Sequence, residues 1–396
     1  MPVAALAPGQ GVRTAPFIRN RVLLVLLLAA VLAAAGLAFV SVAPNRLVSG
    51  VGVRLHALTA PEVPLLWLPL AALVLGMLAP PTRLTQALVA AAAAIGLAGL
   101  TWLAGREAAL QATQLSGLAR VSLGGAFWIM ALLAWLAAAD AVQRLGLSLA
   151  WRSLLQAVVL LPLAALIGSG ALDALSLLKE YQNRQDVFDA AALRHLQIAG
   201  TTLVPALLIG VPLGVAAARR PSFARPLFGV LNIVQTVPSI ALFALLIAPL
   251  AGLGAALPGW GIQGIGLLPA VIALTLYALL PIVHGTSAGL AQVPQGAIDA
   301  GRGMGMTPRQ LFWRVEVPLA LPVLLSGLRV TAVQVIGLAV VAALIGAGGF
   351  GALVFQGLAS SALDLVLLGV LPVVALAIAA DALLALATAA WSGAAR

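Results

Sequence analysis

The stretch DAGRGMGMTPRQLFWRVEVPLALP, residues 299–322, passes from a charged loop into an apolar helix and so marks a membrane boundary. Asp299, Arg302, Arg309, Arg314 and Glu316 crowd into it, in a chain of 396 residues that is 63% hydrophobic and 8% charged. That charged fraction is about a third of what a soluble domain carries. Apolar runs of about 20 residues, long enough to cross a bilayer, recur along the chain. The short alternating segments of a transmembrane barrel do not. The fold class is therefore all-α, a polytopic α-helical membrane protein.

Working outward from the boundary gives ten expected spans: 22–43, 64–80, 84–104, 121–139, 153–171, 195–218, 228–254, 265–285, 318–346 and 364–391. The first follows a basic flank but exceeds the apolar run of a signal peptide, so a retained helix is expected. Residues 1–171 form an accessory region of about five spans. An extracytoplasmic connecting segment, 172–194, follows and reads as a solvated helix carrying Asp173, Glu180, Asp186 and Asp189. Residues 195–391 hold about five more spans and a polar loop, 286–317. With the N-terminus inside, 14 of the 21 basic residues fall on inner segments, from Arg13 to Arg396. Seven fall outside, Arg46 and Lys179 among them. Cytoplasmic loops are the basic ones, so both ends are expected inside. The net charge of +10 belongs to those loops, and nucleic acid is not an expected partner.

The loop carries more local order than topology requires. Pro294 suits the start of a helix over about 295–304. Gly305 can take the left-handed conformation that ends it. Thr307 reads as an N-cap with Pro308 after it, Gln310 completes a capping box, and Met306 and Leu311 stand at the staple positions. A loop whose arginines only fix topology needs none of this. A docking surface does.

These residues resemble the cytoplasmic signature of ATP-binding-cassette (ABC) importer permeases: Glu-Ala-Ala, three residues, Gly, nine residues, Ile-x-Leu-Pro. Here Asp299, Ala300 and Gly301 stand first, Gly305 follows after three, and Val315-Glu316-Val317-Pro318 after nine more. Asp replaces Glu, Gly replaces the second Ala, and valines replace Ile and Leu. NIVQTVPSIALFALLIAPL (232–250), LPIVHGTSAGL (280–290) and ALIGAGGFGALVFQGLAS (343–360) are similar to the osmoprotectant branch, which imports glycine betaine, choline and related compounds. The resemblance covers about 195–391. It implies a type I importer core there, with Asp299, Ala300, Gly301, Arg302, Gly305, Thr307, Arg309, Arg314, Val315 and Pro318 coupling to an ABC ATPase subunit. It also implies a second permease copy or a different permease subunit. The alternatives are a permease for another small solute, of amino-acid type, and an ion-coupled secondary transporter.

Other motif matches fail on context. GAGGFG (346–351) has no strand before it and reads as a close-packed turn. GTSAG (285–289) follows a membrane span and lacks an acidic partner for His284. His56, His195 and His284 show no metal-ligand spacing and read as helix-end or interfacial residues. The only lysine, Lys179, lies in LLKEY, so no P-loop is present, the chain is not expected to be an enzyme or to hold a cofactor, and ATP must be bound by a separate subunit. No aromatic cluster suits a quaternary ammonium ion, which points to a separate extracytoplasmic substrate-binding protein. Asn232, Gln235, Thr236, Ser239 and Tyr277 are polar within spans: they line a translocation path or bond helix to helix, beside a break at Pro238. Arg329 and Asp381 fall at similar depth in the last two spans, where lipid is a costly neighbour for either charge. They are expected to pair, the alternative being that Arg329 snorkels or lines a wet cavity alone.

Overall fold

The computed structural model describes residues 18–45, 48–115 and 119–394, of which 392–394 by backbone alone. Arg13, Arg46 and Arg396 of the charge count lie outside them. Two compact units divide the chain at Leu175 and Ser176.

The first unit holds α1 (Arg21–Gly36), β1 (Val40–Ala43), β2 (Val51–Val53), α2 (Trp67–Leu78), α3 (Arg83–Gln114), β3 (Arg120–Leu123), α4 (Gly125–Arg144) and α5 (Leu149–Gly168). Asn20 caps α1 by accepting from the Leu23 N–H at 3.1 Å, and Thr82 caps α3 in the same way from Thr85. The core lies among α1–α4, on Leu23, Leu73, Val89, Leu97 and Ala138. The strands correct two expected spans. The first helix stops at Gly36, sixteen residues long, and Val40–Ala43 becomes the middle strand of an antiparallel sheet ordered β2-β1-β3. The fourth span likewise opens as strand β3. Val-Ser-Val alternation favours a pleat over a helix, but inside a long apolar run it reads as more of the same.

Glu107, on α3, has no exposed surface. It accepts from the Thr59 and Ala60 N–H groups at 3.0 and 3.1 Å and from the Gln111 amide at 2.8 Å.

The second unit holds α6 (Ser176–Gln182), α7 (Gln185–Arg219), α8 (Pro221–Thr236), α9 (Ser239–Ala256), α10 (Leu267–Ala291), α11 (Gln295–Gly303), α12 (Pro308–Leu311), α13 (Val317–Leu338), α14 (Phe350–Ala359) and α15 (Leu363–Ala394). Among the described residues eight helices are long and apolar enough to cross a membrane. The helices at the first two expected spans, α1 and α2, are shorter, at 16 and 12 residues. The chain is nearly all helical. Within this unit α10 is the spine, clasped by α7 and α13 at glycines. A Cβ on Gly214 would lie 2.9 Å from the Val283 carbonyl, one on Gly289 2.7 Å from the Ala320 carbonyl, and one on Gly285 3.2 Å from Gly327 Cα. Small residues four apart let membrane helices approach this closely, and GTSAG accordingly lies within α10, near its end.

Further corrections concern ends and breaks. The expected 228–254 span is two helices, α8 and α9, because Val237 and Pro238 are both extended (ψ 127 and 138). The expected 318–346 span is helical only to Leu338, and a 3-10 segment, Val341–Ile345, finishes it. The turn at 346–349 leads into α14, a helix the apolar pattern had not separated. The 172–194 stretch is not a solvated helix throughout. Glu180 is buried and paired with Arg184 at 3.4 Å, Leu177 and Tyr181 pack into the core, and α7 runs on unbroken into its span. His195 is fully buried inside α7, not interfacial.

Glu107→Leu should lower the thermal unfolding midpoint of the purified protein, because it leaves the Thr59 and Ala60 donors unsatisfied at about 1–3 kcal/mol. An unchanged midpoint would show that water replaces the carboxylate.

Candidate functional site

The polar loop, expected from residue 286, starts later because α10 runs on to Ala291, and Pro294 stands at the N-cap of α11. The helix closes around Gly305, whose φ is +76. The Met306 N–H reaches the Gly301 carbonyl at 3.1 Å and the Gly305 N–H the Arg302 carbonyl at 2.9 Å. These are the two bonds of a helix C-terminus turned by a left-handed residue. Thr307 then starts α12. Its hydroxyl accepts from the Gln310 N–H at 3.3 Å, and the Gln310 side chain accepts from the Thr307 N–H at 2.9 Å. Gly301 sits under this junction: a Cβ there would lie 2.6 Å from Leu311 Cδ1 and 3.5 Å from Met306 Sδ. Its lack of a side chain lets both residues fold over the corner.

After one turn α12 widens into a π turn, Phe312–Glu316, with the Val317 N–H bonded to the Phe312 carbonyl. Pro318 has no N–H to give, and the chain enters α13 without a stop. Glu316 faces inward, 5% exposed, and forms an ion pair with Arg219 at the end of α7. The Arg219 guanidinium also lies 5.8 Å from the centre of the Phe312 ring. The loop is thereby fastened to α7. Its outer face keeps Asp299, Ala300, Arg302, Thr307, Arg309 and Arg314 exposed, together with Met304 and Trp313 at 70% and 60%. Val315 and Pro318 are half-buried. Asp299 and Arg302 approach to 3.4 Å but stay in the open, where such a pair adds little.

Deeper in the unit, two reciprocal bonds join the α8–α9 break to α10. The Tyr277 hydroxyl donates to the Val237 carbonyl, which the break leaves outside any helix. The Gln235 amide donates to the Tyr277 carbonyl at 2.7 Å. In a regular helix residue 281 would serve that carbonyl, but residue 281 is Pro281. The same logic recurs at the loop end of α13. Pro322 cannot serve the Pro318 carbonyl, and the Trp391 indole N–H of α15 does so at 3.2 Å. That bond sets the two helix ends level. Eleven residues along α13 and ten back along α15, about 15 Å in each case, Arg329 and Asp381 meet. Their contact is two-pronged: Nε to Oδ1 at 2.9 Å and Nη2 to Oδ2 at 2.8 Å.

Residues 210–391 match the family described as binding-protein-dependent transport system inner membrane component. Residues 19–178 match one described as the N-terminal domain of ABC transporter permease YehY. The osmoprotectant import permease protein OsmW of Salmonella typhimurium is 43% identical over 191 residues, 48% of this chain and 85% of that protein. The chain belongs to this family of importer permeases. The carnitine transport permease protein OpuCB of Listeria monocytogenes is 40% identical over 188 residues, 48% of the permease and 80% of the relative. A solved inward-facing MetNI methionine ABC transporter covers 50% of the permease and 95% of its own chain, at 26% identity and a TM-score of 0.43. The family match and the apolar helices make the permease a multi-pass inner-membrane protein.

Of the residues named for a path, Gln235 and Tyr277 are tied up in the bonds just described. Thr236 bonds back to the Ile233 carbonyl at 2.7 Å but stays exposed. Asn232 is exposed, and Ser239 is half-buried at the first position of α9. Reading the sequence missed Arg219 and Glu316 as the fastening of the loop, since 97 residues separate them. It also missed Trp391. The signal for Trp391 was present: a proline four residues after a carbonyl announces that something else must serve it.

Two outcomes check this geometry. Gly305→Val places a β-branched residue in the left-handed region at a cost of about 1 kcal/mol or more. Association of the purified permease with its ATPase subunit should fall, while Gly305→Asn, which tolerates that conformation, retains more of it. Equal association for both variants would mean the corner need not be rigid. Arg329→Leu or Asp381→Leu should strand a charge worth about 2.5–3.5 kcal/mol and lower the yield of folded protein, whereas exchanging the two residues restores much of it. An exchange as damaging as either single loss would deny the pair its structural role.

Proposed function

We propose that the chain is the membrane-spanning subunit of an ATP-driven importer for osmoprotectants of the quaternary ammonium class, such as glycine betaine, choline and carnitine. The observation that carries this reading is the loop. Its signature spacing is built as a rigid corner, and its exposed face presents Arg302, Arg309 and Arg314 beside Trp313. Aromatic and arginine side chains held on a pre-set backbone make a docking surface. The partner is an ABC ATPase subunit that binds ATP, so this chain neither hydrolyses ATP nor holds a cofactor. A second permease, of the same or a different chain, completes the membrane part, and an extracytoplasmic binding protein delivers the substrate. The names of the relatives support the substrate class: osmoprotectants for OsmW, carnitine for OpuCB and choline for OpuBB of Bacillus subtilis. The two-to-one bias of basic residues supports placing both termini and the loop in the cytoplasm.

Uptake of labelled glycine betaine, choline or carnitine into vesicles holding the whole complex should need ATP and the ATPase subunit. It should also persist when ionophores collapse ion gradients. Reversing Arg302, Arg309 and Arg314 together should release the ATPase, most completely at low salt, and high salt should narrow the difference from the unaltered chain, since surface charges are screened there. Uptake driven by a sodium or proton gradient without the ATPase would overturn the reading.

A further inference from the structure

Helix α8 has three faces, and only two of them suit a helix between protein and lipid. Leu227, Phe228, Leu231 and Val234 pack inward against α10, where Phe228 meets His284 ring to ring at 5.9 Å. Phe223, Pro226, Val230 and Ile233 form an exposed apolar stripe. Ser222, Arg225, Gly229, Asn232 and Thr236 form a second exposed stripe, at spacings of three, four, three and four residues. That is one continuous line along a helix. Among the described residues, Ser222, Arg225 and Asn232 make no side-chain hydrogen bond. A polar line of this kind has no place in hydrocarbon, and the apolar stripe beside it does.

Depth follows from the ties to α10. Tyr277, which holds the α8–α9 break, is ten residues from the start of α10 and fourteen from its end, about 15 and 21 Å. The break therefore stands near mid-depth. The other end of α8 lies beside Arg219, where the polar loop is fastened. The polar line consequently runs about 21 Å, from the loop side of the membrane to its middle.

We propose that this line of α8 walls a water-filled vestibule that opens on the loop side and ends at the Val237–Pro238 break. Arg225 stands at the mouth. Asn232 and Thr236 stand at the inner end and offer uncharged hydrogen-bonding groups to a small polar or zwitterionic solute. Gln235 and Tyr277 hold the end wall in place from behind and do not face the solute. The assignment rests on the importer reading for what passes through, but not for the presence of water.

The chain contains no cysteine, so single cysteines can be placed in it without removing any. Gly229, Asn232 and Thr236 on the polar line, and Val230 and Ile233 on the apolar stripe, are each changed to Cys in the full complex. Inside-out vesicles are then treated with a charged, membrane-impermeant maleimide. The reagent needs a thiolate, and a thiol in lipid keeps its proton. Each unit by which burial raises its pKa removes about nine-tenths of the thiolate. N232C, T236C and G229C should react about tenfold or more faster than V230C and I233C. Equal rates along both stripes, or faster reaction of the apolar one, would overturn the vestibule. Absence of reaction at all five would overturn it too, by showing that the polar face packs against protein. Labelling needs no transport. If the pattern appears while ATP-driven uptake of the osmoprotectants is absent, the vestibule stands and the substrate reading fails.

Discussion

Every backbone carbonyl inside a bilayer must find a donor within the protein, because lipid offers none. This permease places prolines inside most of its long helices, and each one strips a donor from the ladder. The answers visible here come from neighbouring helices. Gln235 serves the carbonyl freed by Pro281, Trp391 the one freed by Pro322, and the Tyr277 hydroxyl the one exposed at the α8–α9 break. Each repair crosses between helices, so it also fixes their register. The position of the break relative to α10, and of α13 relative to α15, follows from satisfying two or three carbonyls.

That register gives the charged pair its place. Arg329 and Asp381 are 52 residues apart in the chain and belong to antiparallel helices, so a slip of one turn would move them about 5 Å apart. The Trp391 bond at the helix ends prevents the slip. Close glycine contacts on the other side of α13 hold it against α10 at the same time. The ion pair is thus less a source of stability than a result of an alignment secured elsewhere.

Much of this was legible in the chain, and the limits have physical causes. The loop corner could be read residue by residue, because caps, boxes and left-handed glycines act over four or five neighbouring residues. Its sequence contains all the partners. The helical class and most spans could be read from apolar length alone. The strand Val40–Ala43 could not, since in an apolar run a short alternation gives no contrast. The fastening of Glu316 by Arg219 was invisible for another reason: both looked like ordinary loop charges, and only the fold brings residues 219 and 316 together. Gln235 and Tyr277 stood out as polar residues in a span, yet a path and a repair ask for the same side chains.

The loop and the ninth span form one unbroken helical segment, Pro308–Leu338, 31 residues or about 46 Å long. It crosses the spine at Gly327, where Gly285 faces it and neither residue carries a side chain. Nineteen residues lie on the loop side of that crossing and eleven on the other, arms of about 28 and 16 Å. Such a rod behaves as a lever with unequal arms. A tilt about the crossing moves the far end a little over half as far as the loop end, and in the opposite direction. The π turn near the loop and Pro322 beyond it both interrupt the regular ladder, and helices bend at such places, so the rod is least stiff between the loop and Arg329.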